Sequence, residues 1–164
     1  MKKLLFLSTV IFAVFSACAQ NPKSPHEIVE GKNVKVDYGR PYKKGRVIFG
    51  DLEKYGKVWR TGADSATHIT FAKDAKVAGQ PVKAGTYSLF TIPEEKEWTI
   101  ILNSERKQWG AYSYEKHKDK DVLRVKVPSK KLDKVIEQHT IRFTDAGMII
   151  EWDQTQVEVP ISFD

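Results

Sequence analysis

A chain of 164 residues with 27 basic and 21 acidic side chains carries a formal charge of +6 and has room for one domain rather than several. Its single cysteine excludes an intrachain disulfide, so stability has to come from packing. The lysines are scattered, and no stripe interleaves arginine with aromatic residues, which argues against a nucleic-acid groove.

Lys2 and Lys3 precede an apolar run over residues 4–15 that only Ser8 and Thr9 interrupt, and the small residues Ser16, Ala17, Cys18 and Ala19 follow. This is the layout of a secretory signal, and the run is shorter than the roughly 20 residues of a membrane-spanning helix. Two processing routes fit. Ala17-Cys18-Ala19 before Gln20 suits ordinary cleavage, whereas Phe15-Ser16-Ala17-Cys18 resembles the lipobox of bacterial lipoproteins. The only cysteine sits at that spot, which favours lipidation of Cys18; Phe15 in place of the usual Leu counts against it. The chain therefore divides into a signal (1–19, or cleavage before Cys18), a tether (20–32) with Pro22 and Pro25, and one domain (33–164). Without Lys2 and Lys3 the charge is +4, from 25 basic and 21 acidic residues. The expected location is the periplasm, the outer membrane through a lipid on Cys18, or the exterior.

Behind the tether, short β-like runs succeed one another. Val34, Val36 and Tyr38 alternate with Lys35 and Asp37, and Ile69 and Phe71 flank Thr70. Val77 and Val82 enclose a hairpin-like turn at Ala78-Gly79-Gln80-Pro81, and Tyr87, Leu89, Phe90 and Ile92 continue the pattern. Trp98, Ile100 and Leu102 share a face opposite Thr99 and Ile101; Leu123, Val125 and Val127 alternate with Arg124 and Lys126. Ile141 and Phe143, then Met148, Ile149, Ile150 and Trp152, and finally Val157, Val159 and Ile161 complete the series. Such runs, divided by Gly, Pro, Asp or Asn, predict an all-β fold: an antiparallel β-sandwich or jelly-roll-like domain. One or two short helical turns are expected among residues 51–55, 104–109 and 129–135.

The least strand-like stretch is also the richest chemically. Residues 55–64 hold Tyr55, Trp59, Arg60, Thr61, Gly62 and Asp64, with Thr67 just beyond. In one reading they form a polar pocket, with Arg60 gripping a carboxylate, phosphate or sugar hydroxyl as a planar fork and Trp59 offering a stacking face. In the plainer reading Arg60 pairs with Asp64 to pin a loop, and Trp59 fills the core. A second cluster, Trp109-Gly110-Ala111-Tyr112-Ser113-Tyr114, is either a sugar-binding aromatic face or a half-buried strand with Tyr112 and Tyr114 on one side. Arg40 and Arg46 bracket a turn; they either hold an anion or pair with Asp37 and Asp51. His26, His68, His117 and His139 share no ligand spacing, so no metal or cofactor is expected. No G-x-S-x-G occurs, and a carboxylate pair drawn from Asp64, Glu151 and Asp153 has no separation that the sequence can set.

Taken together, Tyr38-Gly39-Arg40-Pro41, Gly45-Arg46, Phe49-Gly50, Tyr55-Gly56, Trp59-Arg60-Thr61-Gly62-Ala63-Asp64, Ala66-Thr67, residues 84–90, Ile92-Pro93, Trp98, Asn103, Trp109-Gly110 and residues 121–124 resemble one family. It is the family of domain of unknown function 2911, mainly from Bacteroidetes and often exported, and the likeness spans residues 34–161. Asp64 stands where Asn is common, Gly39 where Ser is common, and Lys54 where Pro often precedes Tyr-Gly. Asn at that place implies that a catalytic carboxylate at residue 64 is foreign to the family pattern.

The residues thus lead to three hypotheses. The first is a non-catalytic envelope domain binding a glycan or other polar small ligand through Trp59, Arg60, Thr61 and Asp64, with Trp109, Tyr112 and Arg124. The second is a structural or assembly partner at the outer membrane. The third is an envelope hydrolase.

Overall fold

The computed structural model describes residues 24–163; the export signal, Cys18 and the start of the predicted tether lie outside the described residues. Alternating apolar and polar side chains put most of these residues into nine strands. They are β1 (His26–Gly31), β2 (Val34–Gly39), β3 (Thr67–Phe71), β4 (Ala75–Val77), β5 (Gln80–Val82), β6 (Gly85–Ile92), β7 (Glu97–Asn103), β8 (Asp121–Thr144) and β9 (Gly147–Phe163). Every strand pairing is antiparallel, and the order across the sheet is β1-β2-β3-β6-β7-β8-β9-β4-β5.

One strand folds this sheet over its own core. The first third of β8, from Asp121 to Pro128, pairs with β7, and from Ser129 onward the same strand pairs with β9. Where it changes partner the sequence is Ser129-Lys130-Lys131-Leu132-Asp133-Lys134-Val135, and the register slips twice between Lys131 and Thr140. Such irregularities bend a strand and increase its twist. The inward faces of β2 (Val34, Val36, Tyr38), β7 (Trp98, Ile100, Leu102) and β9 then share a single buried cluster. In β9 the buried positions change parity, from Met148, Ile150 and Trp152 to Val157, Val159 and Ile161. Asp153, with φ 52, marks the change, because a left-handed residue breaks the two-residue period.

The sequence missed a strand and misplaced the turns. Residues 26–31, read as tether, form edge strand β1 against β2, with Ile28 exposed and Val29 against the core. An edge strand with one weakly apolar face resembles a linker in a single sequence. The single-turn 3₁₀ helices fall at Tyr114–Lys116 and Lys118–Lys120. None of the three predicted turns becomes a helix: residues 51–55 and 104–109 are non-helical loop, and residues 129–135 belong to β8. Lysine-rich composition there hid a strand whose apolar pattern is interrupted by its own bulges.

Beside the strands, residues 40–66 make one long connection from β2 to β3. Connections of that length without regular structure are uncommon in small domains and are often functional. This one is stitched down by isolated bridges, Tyr42 to Gln138, Trp59 to Thr91 and Ser65 to Trp109.

Candidate functional site

Within the long connection, consecutive residues take opposite roles. Trp59 exchanges both backbone hydrogen bonds with Thr91 (2.7 and 2.9 Å), and this drives its ring inward. The ring stacks on Trp152 (centroids 5.9 Å) and meets Phe49, Trp98 and His139 edge-on, while its indole N–H donates to the Gly62 carbonyl (3.2 Å). Thr61 is fully buried; its hydroxyl donates to Thr91 Oγ1 (3.1 Å), and its carbonyl accepts from Thr67 Oγ1 (2.9 Å). Trp59 and Thr61 therefore sit in the interior.

Arg60, between them, turns the other way. It lines a cavity of about 460 Å³ together with Glu53, Asp64, Arg46, Tyr42 and the edge of Trp152. The loop reaches this position because β2 ends in a residue without a side chain. A Cβ on Gly39 would lie 2.5 Å from the Ala63 carbonyl oxygen, and the Ala63 amide donates back to the Gly39 carbonyl (3.2 Å). Asp64 has φ 65. Asn and Asp are the non-glycine residues that best tolerate this region, so the Asn of the resemblance and the Asp here meet one backbone demand.

The charges of the cavity are unevenly matched. Asp64 stands 3.5 Å from His26 Nε2, and Arg46 donates to the carbonyls of Lys43 (2.9 Å) and Tyr42 (2.5 Å). The Arg60 guanidinium, by contrast, makes no hydrogen bond or ion pair among the described residues, and its buried Nε is unsatisfied. The expected Arg60–Asp64 pair is not formed. Nor does the Glu53 carboxyl find a partner among the described residues; burial pushes its pKa up to about 7, and the nearby Arg60 and Arg46 only partly offset that. A fork of donors and a half-neutral carboxyl thus border one space, each uncommitted.

The two sequence clusters are joined beside the cavity, although Trp109 and Tyr112 do not line it. The Gly110 amide donates to the Asp64 carbonyl (3.0 Å) and the Ala66 amide to the Gln108 carbonyl (3.0 Å). Gly110 is approached from both sides: a Cβ there would lie 2.9 Å from the Tyr112 ring and 3.2 Å from Arg60 Nη1. Trp109 is 66% exposed and Tyr112 82% exposed, whereas Tyr114 is buried against Phe90. Residues 109–114 are therefore a turn running into a 3₁₀ helix, not a strand, and Tyr112 and Tyr114 do not share a face.

Other candidates lie elsewhere. Arg124 donates to the Tyr114 hydroxyl (3.1 Å) and stands 3.6 Å from Asp121, capping a network that also ties down Asn103; it does not line the cavity. Arg40 pairs with Glu27 (3.2 Å) instead of Asp37. Glu151 is held by Arg142 (3.3 Å) and Gln156 (2.8 Å), and Asp153 by Lys43 (3.3 Å). His139 is fully buried among Tyr38, Trp59 and Trp152 with neither ring nitrogen hydrogen-bonded, and burial pushes its pKa down to about 3. Two larger depressions, of about 580 and 620 Å³, hold none of the sequence-predicted site residues. Glu53 is the cavity residue that sequence reasoning missed. Nothing in Asp51-Leu52-Glu53-Lys54 announces a half-buried carboxyl, because its surroundings come from the folding of residues 40–66 on themselves.

Fold and cavity together define a β-domain whose long inter-strand connection holds a polar site against an aromatic core. The family model described as "Protein of unknown function (DUF2911)" matches residues 21–161, and the chain belongs to that family. No curated protein and no solved structure matches the chain.

Proposed function

We propose that the protein is an exported cell-envelope domain that binds a glycan or other polar small ligand in the cavity that residues 41–64 form with Ser24 and Trp152, without transforming it. The observation that carries this reading is the pair of uncommitted polar groups, Arg60 and Glu53, on one cavity of about 460 Å³. Small-ligand sites have volumes of this order, about 300 to 1,000 Å³, and carry a few placed polar groups. Leaving a buried donor unsatisfied costs about 1 to 3 kcal/mol, which a fold has reason to tolerate where a ligand restores the bond. Outside the cavity, the exposed ring of Tyr112, which adjoins Gly110 as Arg60 Nη1 does, and the exposed ring of Trp109 add surfaces on which a sugar can lie.

Thermal-shift and calorimetric screening of neutral oligosaccharides, peptidoglycan fragments and small organic acids tests this. A saturable ligand lost on changing Arg60 supports it, and the lack of any saturable ligand sinks it. Export follows from residues 1–19 and lipidation from Cys18; fractionation and radiolabelled palmitate incorporation, with Cys18→Ala as control, test both.

A further inference from the structure

Resting on that binding reading, we propose that the ligand is a sugar acid, its carboxylate held by the Arg60 guanidinium and a ring hydroxyl held by Glu53. Two unpartnered groups of opposite chemistry demand a ligand that brings both kinds of partner. Arg60 supplies donors in a planar fork, and a carboxylate is the small anion whose two oxygens match that fork. Glu53 takes a hydroxyl whether protonated or ionised, since its carboxyl accepts in both states and also donates when protonated.

The neighbouring charges narrow the choice. Arg46 is committed to two backbone carbonyls, and Asp64 has His26 beside it, which leaves Arg60 as the anion reader. A bare phosphate would satisfy Arg60 but suits Glu53 only while that carboxyl is protonated, and is repelled by it once ionised. A neutral sugar would satisfy Glu53 but offers the guanidinium only single hydroxyl acceptors, without the two coplanar, charged oxygens of a carboxylate. The ring of a sugar acid spans both needs, and about 460 Å³ accommodates a monosaccharide with its hydration. The same geometry sets a pH dependence. Arg60, Arg46, Lys44 and Asp64 face Glu53 across the cavity, and an incoming carboxylate adds negative charge, so binding favours the protonated Glu53. Affinity therefore falls as pH rises through about 7.

The test is calorimetry on the purified protein with D-glucuronate, D-galacturonate and N-acetylmuramate, against D-glucose and inorganic phosphate. At least one acid should bind at least tenfold more tightly than glucose and phosphate. Arg60→Lys, checked for an unchanged melting curve, should weaken that acid about tenfold or more, because it keeps the charge and removes the fork. Glu53→Gln should abolish the weakening between pH 6 and pH 8. Glucose binding as tightly as the acids, with no effect of Arg60→Lys, overturns the sugar-acid assignment and leaves a neutral-glycan site standing. Phosphate equalling the acids also overturns it, in favour of a plain anion site. If no acid, sugar or phosphate binds, both the assignment and the binding reading fail.

Discussion

Trp59 and Arg60 are neighbours in the chain and opposites in the fold. The Trp59 side belongs to a cluster with Phe49, Trp98, Trp152 and His139, in which rings meet edge-on or stacked and the indole N–H of Trp59 is satisfied. On the Arg60 side lie a guanidinium and a carboxyl that feel each other's charge but have no side-chain hydrogen bond or ion pair among the described residues. Close packing against open polar valence, within one peptide unit, separates what holds the loop from what the loop presents. Both faces leave polar atoms without hydrogen bonds, but Trp98 Nε1 and the His139 nitrogens are sealed among rings, whereas Arg60 and Glu53 border a cavity.

Substitutions can break this contrast, beginning with the largest. Trp59→Ala should cost about 3 to 5 kcal/mol, as large-to-small core changes do, and lower the melting temperature by roughly 10 °C. A drop of only a degree or two would mean that the aromatic cluster is not what anchors the loop. His139 should make stability fall on acidification. Its folded pKa lies near 3, below the ordinary 6.5, so the unfolded chain takes up the proton first. Stability is then full above about 6.5 and declines by about 1 kcal/mol per pH unit towards 3. Denaturant titrations at pH 4, 5 and 7 should show the slope, and His139→Phe should flatten it.

Smaller effects probe the contact that seats the loop and the cavity face. Gly39→Ala puts a Cβ 2.5 Å from the Ala63 oxygen and should destabilise by about 1 to 3 kcal/mol, read from the urea midpoint. Glu53 acts in the opposite sense to His139. With its pKa raised from 4.5 to about 7, its contribution is present below 4.5 and lost as pH rises through 7. Glu53→Gln should therefore stabilise by about 1 to 2 kcal/mol at pH 8 and change little at pH 4. The smallest change is expected for Arg60→Ala, no loss and at most about 1 kcal/mol of gain, since no pair is broken and an unsatisfied buried donor is removed. A loss of about 3 to 5 kcal/mol, as for a severed buried pair, would mean that Arg60 is architecture after all.

The strands were legible where burial alternates over five or more residues, as in Val34-Lys35-Val36-Asp37-Tyr38 and Trp98 to Leu102, because the period of two is itself the signal. They were illegible where the chain forms an edge, at β1, or bends, at residues 129–135, because there the pattern is diluted by charge. Within the site, Arg60 and Asp64 stood out by residue type, but Glu53 did not. Its environment is made by Arg46 and Arg60, seven residues away on either side, and by a loop folding back on itself through the Phe49–Glu53 bridge. That Gly110 and Arg60 adjoin was equally hidden, since the hydrogen bonds of Gly110 and Gln108 to residues 64 and 66 span more than forty positions.

The pairing of β4 with the end of β9 also orders events in time. Residues 75–77 take residues 161–163 as their partner, and β5 joins the sheet only through β4. During synthesis that hairpin has no place in the sheet until residues 161–163 have been made. A chain truncated before residue 157 would carry an orphaned hairpin and an open core beneath Val77 and Val82. Closure of the core at that end therefore waits on a contact between residues more than eighty positions apart, the kind of non-local pairing that forms slowly.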